Sequence, residues 1–135
     1  MRAFRIVVAG HGDLAAALVA AAEMICGRIP DLHAVDLQPA DSPESFGERF
    51  GAACGDPAEP VLVLTDLVGG TPHNVALAAL RRRESAVLIS GVNLAVLVEA
   101  AMSMDALDAG AVARLVSTGR AALTDAASLM GSRIP

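Results

Sequence analysis

Two glycine-rich segments hold the residues best suited to chemistry: Gly10-His11-Gly12-Asp13 and Asp66-Leu67-Val68-Gly69-Gly70-Thr71-Pro72-His73-Asn74. Imidazole is a nucleophile at neutral pH, and its two ring nitrogens can take separate tasks, one held by a hydrogen bond and the other free to react. His11 stands between glycines, which allow a tight turn and close approach of a ligand to the amides. Asp13 then opens a helix whose N-terminus favours an anion. Asp66 ends an otherwise apolar segment, so its carboxylate belongs at a rim, where an imidazole N–H stabilises it. Such a pair fixes the tautomer of His11 and leaves the other nitrogen as nucleophile. Gly12, Gly70 and Thr71 could then present amides and a hydroxyl to phosphoryl oxygens. Plainer roles remain open at this level: a helix-capping or solvent-facing His11, an Asp66 that caps a turn, and a Thr71 that caps the following helix.

Other polar residues carry less. His73, in the first turn of a helix, and Asn93, at the start of another, are candidate contacts to the site or to a partner, whereas His33 reads as a partly exposed strand residue. Three histidines and two cysteines have no close metal-ligand spacing, so no metal is expected. Cys26 and Cys54 read as packing thiols in a reduced compartment.

The elements that must position these loops follow from pattern. Apolar runs at 4–9, 61–65 and 86–90 read as buried strands, and 32–37 reads as a further short strand. Between them, helical periodicity starts at Asp13 and stops at Gly27, and Ser42-Pro43-Glu44 opens a helix to about Cys54. Thr71-Pro72 opens a third helix reaching Arg81 to Arg83, and a fourth runs from about Asn93 to Met104. Residues 108–129 read as mostly helical, with Gly119 a weak point. Alternating strands and helices predict a single α/β domain over 1–135, a doubly wound, mostly parallel sheet with helices on both faces. Ligands of such sheets bind beyond the carboxyl ends of the strands, which is where both glycine-rich segments fall.

Composition narrows the function. The 135 residues are 54% hydrophobic but only 2% aromatic, with neither Trp nor Tyr, so the core must be aliphatic and base-stacking on nucleic acid has no platform. A net charge of −5, with no Lys, argues against a nucleic-acid footprint. The longest uncharged apolar run tested, 85–98, is shorter than the ~18–20 residues a membrane span needs. The start of the chain does not read as a signal peptide, and the expected location is cytoplasmic.

In order and spacing, these residues resemble the IIA component of the mannose, fructose and sorbose family of the bacterial sugar phosphotransferase system. The resemblance rests on Val7-Val8-Ala9-Gly10-His11-Gly12, Ala22-Glu23-Met24-Ile25-Cys26-Gly27, Leu64-Thr65-Asp66 through Asn74, Ile89-Ser90-Gly91-Val92-Asn93-Leu94, and Ser117-Thr118-Gly119-Arg120. It implies that His11 accepts a phosphoryl group from the phosphocarrier HPr and passes it to a IIB partner, with membrane subunits IIC and IID reached indirectly. Asp66 matches the position that hydrogen-bonds the active histidine, and Thr71 the one that contacts the phosphoryl group. The resemblance also implies a homodimer in which a C-terminal edge strand is exchanged, and it implies no cofactor. Two positions depart from the usual pattern: His73 where many members carry Phe, and Ala95-Val96 where many carry Pro-Met.

Two other readings compete. Gly10-x-Gly12-x-x-Ala15 with Asp36 on the second strand satisfies a permissive dinucleotide fingerprint. A regulatory phosphohistidine protein, working without sugar transport, would use the same site chemistry.

Overall fold

The computed structural model describes residues 2–131. In chain order the elements are β1 (Arg5–His11), α1 (Leu14–Cys26), β2 (Leu32–Leu37), α2 (Pro43–Cys54), β3 (Val61–Thr65), α3 (Thr71–Leu80), β4 (Ala86–Ser90), α4 (Leu94–Ser103), α5 (Ala109–Ala122) and α6 (Ala126–Leu129). All strand pairs are parallel, in the order β2-β1-β3-β4. The order reverses between β1 and β3, and the crevice outside a reversal of this kind is where open α/β sheets bind ligands. Ala9 pairs with Thr65, so His11 and Asp66 emerge next to one another at that crevice.

Alternation along the strands divides the core in two. Ile6, Val8, Leu62 and Leu64 pack with α1, α4 and α5 through Ala15, Ala22, Leu97 and Leu115. Val7, Ala9, Val61 and Val63 pack with α2 and α3 through Phe46, Phe50 and Ala76. Strands covered on both faces need apolar side chains in both directions, which explains the unbroken apolar runs of β1 and β3. Ala15 and Ala22, two turns apart, have no exposure, and their small size lets α1 lie close on the sheet. The expected aliphatic core is present, supplemented by burial of all three phenylalanines. Cys26 and Cys54 are free thiols in opposite clusters and pack as expected.

α2 begins with a reciprocal cap: Ser45 N–H donates to Ser42 Oγ, and Ser42 N–H donates to Ser45 Oγ, each at 3.0 Å, with Pro43 following. Other ends differ from expectation. Asp13 precedes α1 but makes no side-chain cap; its carboxylate accepts from Gln38 Nε2 at 3.1 Å instead. Thr71 is the first residue of α3 rather than its cap, which is Gly70, and the helix stops at Leu80, short of Arg83. Arg83 folds back onto the carbonyls of Cys54, Gly55, Asp56 and Glu59, a tertiary use of charge that a helix-end reading does not anticipate.

The last helical stretch breaks after Ala122, not at Gly119. Gly119 is inside α5 because a Cβ there would stand 2.6 Å from Val96 Cγ2; its absence is what lets α5 approach α4. Residues 132–135, at the end of the tail where the resemblance implies an exchanged edge strand, lie outside the described residues. Among the described residues no helix is long and apolar enough to cross a membrane.

Candidate active site

β1 runs two residues past its pairing with β3, carrying Gly10 and His11 to the end of the sheet beside Asp66. Asp66 Oδ2 accepts the main-chain N–H of His11 at 2.9 Å and lies 2.8 Å from His11 Nδ1. Burial pushes the Asp66 carboxyl up, but the hydrogen bonds from the His11 main chain and ring outweigh it, and the net shift is below the ordinary aspartate value. Asp66 is therefore a carboxylate and only accepts. Its two partners must both donate, so the neutral form of the His11 ring carries its hydrogen on Nδ1 and its lone pair on Nε2. Asp66 is mostly shielded, at 11% side-chain exposure, while His11 is 47% exposed: the carboxylate is inside and the imidazole faces out.

Glycine serves this pair through space as well as torsion. A Cβ on Gly10 would come within 3.3 Å of Asp66 Oδ2, and one on Gly70 within 2.8 Å of His11 Cε1 and 3.5 Å of Nε2. Gly12, at φ +58°, makes the turn out of β1. Its N–H donates to the Leu37 carbonyl at 2.8 Å, so the amide proposed from sequence for a phosphoryl oxygen is already committed.

The free donors lie across the crevice on α3. Asn74 is the first α3 residue whose N–H meets a carbonyl, that of Gly70, while the Gly70 N–H donates to Leu67. The amides of Thr71 and His73, and the Thr71 hydroxyl, have no partner among the described residues, and Pro72 has no N–H. His11, Gly12 and Thr71 line a cleft of about 360 Å³ together with Leu37, Gln38, Pro39, Asp41 and Pro43. Among the described residues no arginine lines it, and Asp41 is held by Arg49 and by the main-chain N–H of Gln38. A small anion bound to Nε2 would meet a helix N-terminus with unpaired amides.

α1 offers no comparable end. Its Ala16 N–H already faces Asp36 Oδ1 at 3.2 Å, a protein carboxylate where the dinucleotide reading needs a pyrophosphate.

The structure thus brings together His11, Gly12, Asp66, Gly70 and Thr71, and turns the side chains of two other candidates elsewhere. Asn93 caps α4, accepting from Val96 N–H at 3.0 Å and donating to the Gly119 carbonyl at 2.9 Å, away from the cleft. His73 turns toward β4, with Nδ1 2.6 Å from Ser90 Oγ. Sequence reasoning missed the hydroxyls of Thr65 and Ser90, which are 2.6 Å apart at the ends of β3 and β4. Their strand-final positions under α3 were the available signal. Among the described residues no three His, Cys, Asp or Glu side chains gather as a metal ion requires.

This geometry can be set beside known proteins. Residues 5–117 match the EIIA-man family, described as the PTS system fructose IIA component, where PTS denotes the phosphotransferase system. The chain is 31% identical over 114 residues to the sorbose-specific EIIA component of Lacticaseibacillus casei, covering 83% of this chain and 80% of that one. It is 35% identical over 102 residues to the mannose-specific EIIAB component of Escherichia coli K12, covering 74% of this chain but 32% of that longer protein. A mannose/sorbose-specific IIA subunit from Enterococcus faecalis superimposes with a TM-score of 0.85 at 30% identity, covering 100% of this chain and 98% of that one. With His11 and Asp66 paired at the strand-order reversal and most of its length matched, the chain belongs to the EIIA-man family of phosphotransferase-system IIA components.

Proposed function

We propose that the chain is a phosphocarrier, one IIA domain over 1–135, in which His11 Nε2 accepts a phosphoryl group from phospho-HPr and passes it to a IIB partner for sugar uptake through IIC and IID membrane subunits. The observation that carries this reading is the double hydrogen bond of Asp66 Oδ2 to His11, which leaves Nε2 as the free nucleophile opposite the unpaired amides of α3.

The Nε2 lone pair attacks phosphorus in line with the bond to the donor nitrogen. The new N–P bond forms as the old one breaks, and the released electron pair returns to the donor. Positive charge develops on the His11 ring, and the Asp66 carboxylate stabilises it through Nδ1–H. The phosphoryl oxygens meet Thr71 Oγ and the amides of Thr71 and His73. Position and electrostatics are most of what phosphoryl transfer demands of a protein. Transfer to IIB is the same in-line displacement with His11 as leaving group: the acceptor's nucleophile bonds phosphorus as the Nε2–P bond breaks, and that electron pair returns to the His11 ring.

Docking would use the rim. Leu14, Leu67 and Val68 are exposed around His11, an apolar collar suited to transient contact. β4 forms one edge of the sheet and is half-buried along its length, which fits a homodimer built on that edge. The cellular location that fits these partners is the cytoplasm.

The test is incubation with phosphoenolpyruvate, the system's first enzyme and HPr, followed by addition of IIB and sugar. Phosphate is expected to appear on this chain, then on sugar, and neither should occur with His11→Ala. Labelling that persists in His11→Ala contradicts the proposal.

A further inference from the structure

Among the described residues Thr65 is the one polar side chain that is fully buried, in a sheet whose other positions at that depth are aliphatic. A buried hydroxyl is costly without partners, and valine would fit the same space without that cost. Thr65 pairs in register with Ala9 on one side and Ser90 on the other, so all three share the face that packs against α3. His11, two residues beyond Ala9 on β1, is on this same face one pleat higher. Thr65 Oγ1, Ser90 Oγ and His73 Nδ1 make a continuous chain with links of 2.6 Å each.

The chain ends on the first turn of α3, the turn that bears the Thr71 hydroxyl and the free amides of Thr71 and His73. With the imidazole neutral and its hydrogen on Nε2, Ser90 gives its proton to His73 and receives that of Thr65, so every hydroxyl proton is used. A hydrogen-bonded chain running from β3 through β4 sets both the height and the rotation of a helix end, which apolar contact alone does less sharply.

We propose that His73, acting through Ser90 and Thr65, is a positioning residue that holds the α3 N-terminus at the right distance from His11 Nε2 for the phosphoryl group. This rests on the phosphocarrier reading for its use, but its effect on a phosphorylated His11 can be measured without HPr.

The full chain, loaded on His11 with phosphoramidate, is followed for loss of phosphate, and single-turnover loading from phospho-HPr is followed in parallel. His73→Phe should shorten the phosphohistidine lifetime several-fold and lower the maximal loading rate on the order of tenfold. The HPr concentration for half-maximal rate should stay within about twofold. His73→Asn, whose amide falls near the Nδ1 position, should recover most of both losses. Ser90→Ala should resemble His73→Phe, and it serves as the second probe if His73→Phe does not fold. Wild-type lifetimes and rates in His73→Phe and Ser90→Ala overturn the proposal, as do equal losses in His73→Phe and His73→Asn. Wild-type protein that holds phosphate from phosphoramidate but takes none from HPr overturns the phosphocarrier reading instead, and the lifetimes still decide the positioning role.

Discussion

Gly70→Ala separates the fold from the site. The backbone at Gly70, φ −72° and ψ 168°, is ordinary for alanine, so no torsional strain arises. Replacing glycine by alanine at an N-cap costs about 1 kcal/mol at most, and the protein should remain folded. The added methyl, however, would stand 2.8 Å from His11 Cε1. Carbon atoms rest at about 3.5–4.0 Å, so the contact is short by roughly 0.7 Å or more. Either the ring rotates and gives up its 2.8 Å bond to Asp66, or the α3 N-terminus retreats by a comparable distance. A misplacement near 1 Å can cost about 100-fold in a reaction that depends on alignment, equivalent to ~2.7 kcal/mol of barrier. Quenched-flow transfer from phospho-HPr measures the rate, and urea unfolding measures the stability. The expected result is a folded variant with transfer slowed by about two orders of magnitude. A folded Gly70→Ala that transfers within about threefold of wild type refutes the argument that ring and helix end are held in contact.

Four further outcomes follow from other residues. Asp66→Asn should slow transfer by roughly 10²–10⁴-fold while circular dichroism stays unchanged, because the tautomer of His11 is no longer set and the ring charge is no longer offset. Because the folded-state value of Asp66 is lowered, its contribution to stability is complete above the ordinary aspartate value and is lost as pH falls through the lowered one; denaturant midpoints measured down the acid range should fall less steeply in Asp66→Asn than in wild type. Gly119→Ala should destabilise by about 1–3 kcal/mol in thermal or urea melts, since the clash with buried Val96 exceeds the ~1 kcal/mol that alanine normally adds to a helix. Burial pushes the Cys54 thiol up, so in the native protein it should react with a disulfide reagent far more slowly than the half-buried Cys26, and equal rates would contradict the burial argument.

The fold was legible because its signals are local. Unbroken apolar runs announce strands covered on both faces, and Ser42-Pro43 announces α2 through chemistry that acts within one turn. The strand order is not local, yet the placement of both glycine segments after strands was enough to bring His11 and Asp66 to one rim. What escaped depends on register and on atoms from distant segments. The Gly12 amide, free by sequence, is taken by the Leu37 carbonyl of the adjacent strand. Gly119 looked like a weakness because its neighbour, Val96, comes from another helix. His73 could be placed in the first turn of α3 by sequence, but its direction toward Ser90 follows from how α3 lies across β4.

The central claim is that Asp66 holds Nδ1, so that phosphate lands on Nε2 of His11. Heteronuclear NMR of the phosphorylated, 15N-labelled protein tests it directly, through the coupling between phosphorus and the ring nitrogens. The account predicts a single phosphohistidine, His11, with phosphorus bonded to Nε2 and a hydrogen retained on Nδ1. Phosphorus on Nδ1 of His11, or on the ring of His33 or His73, would contradict it.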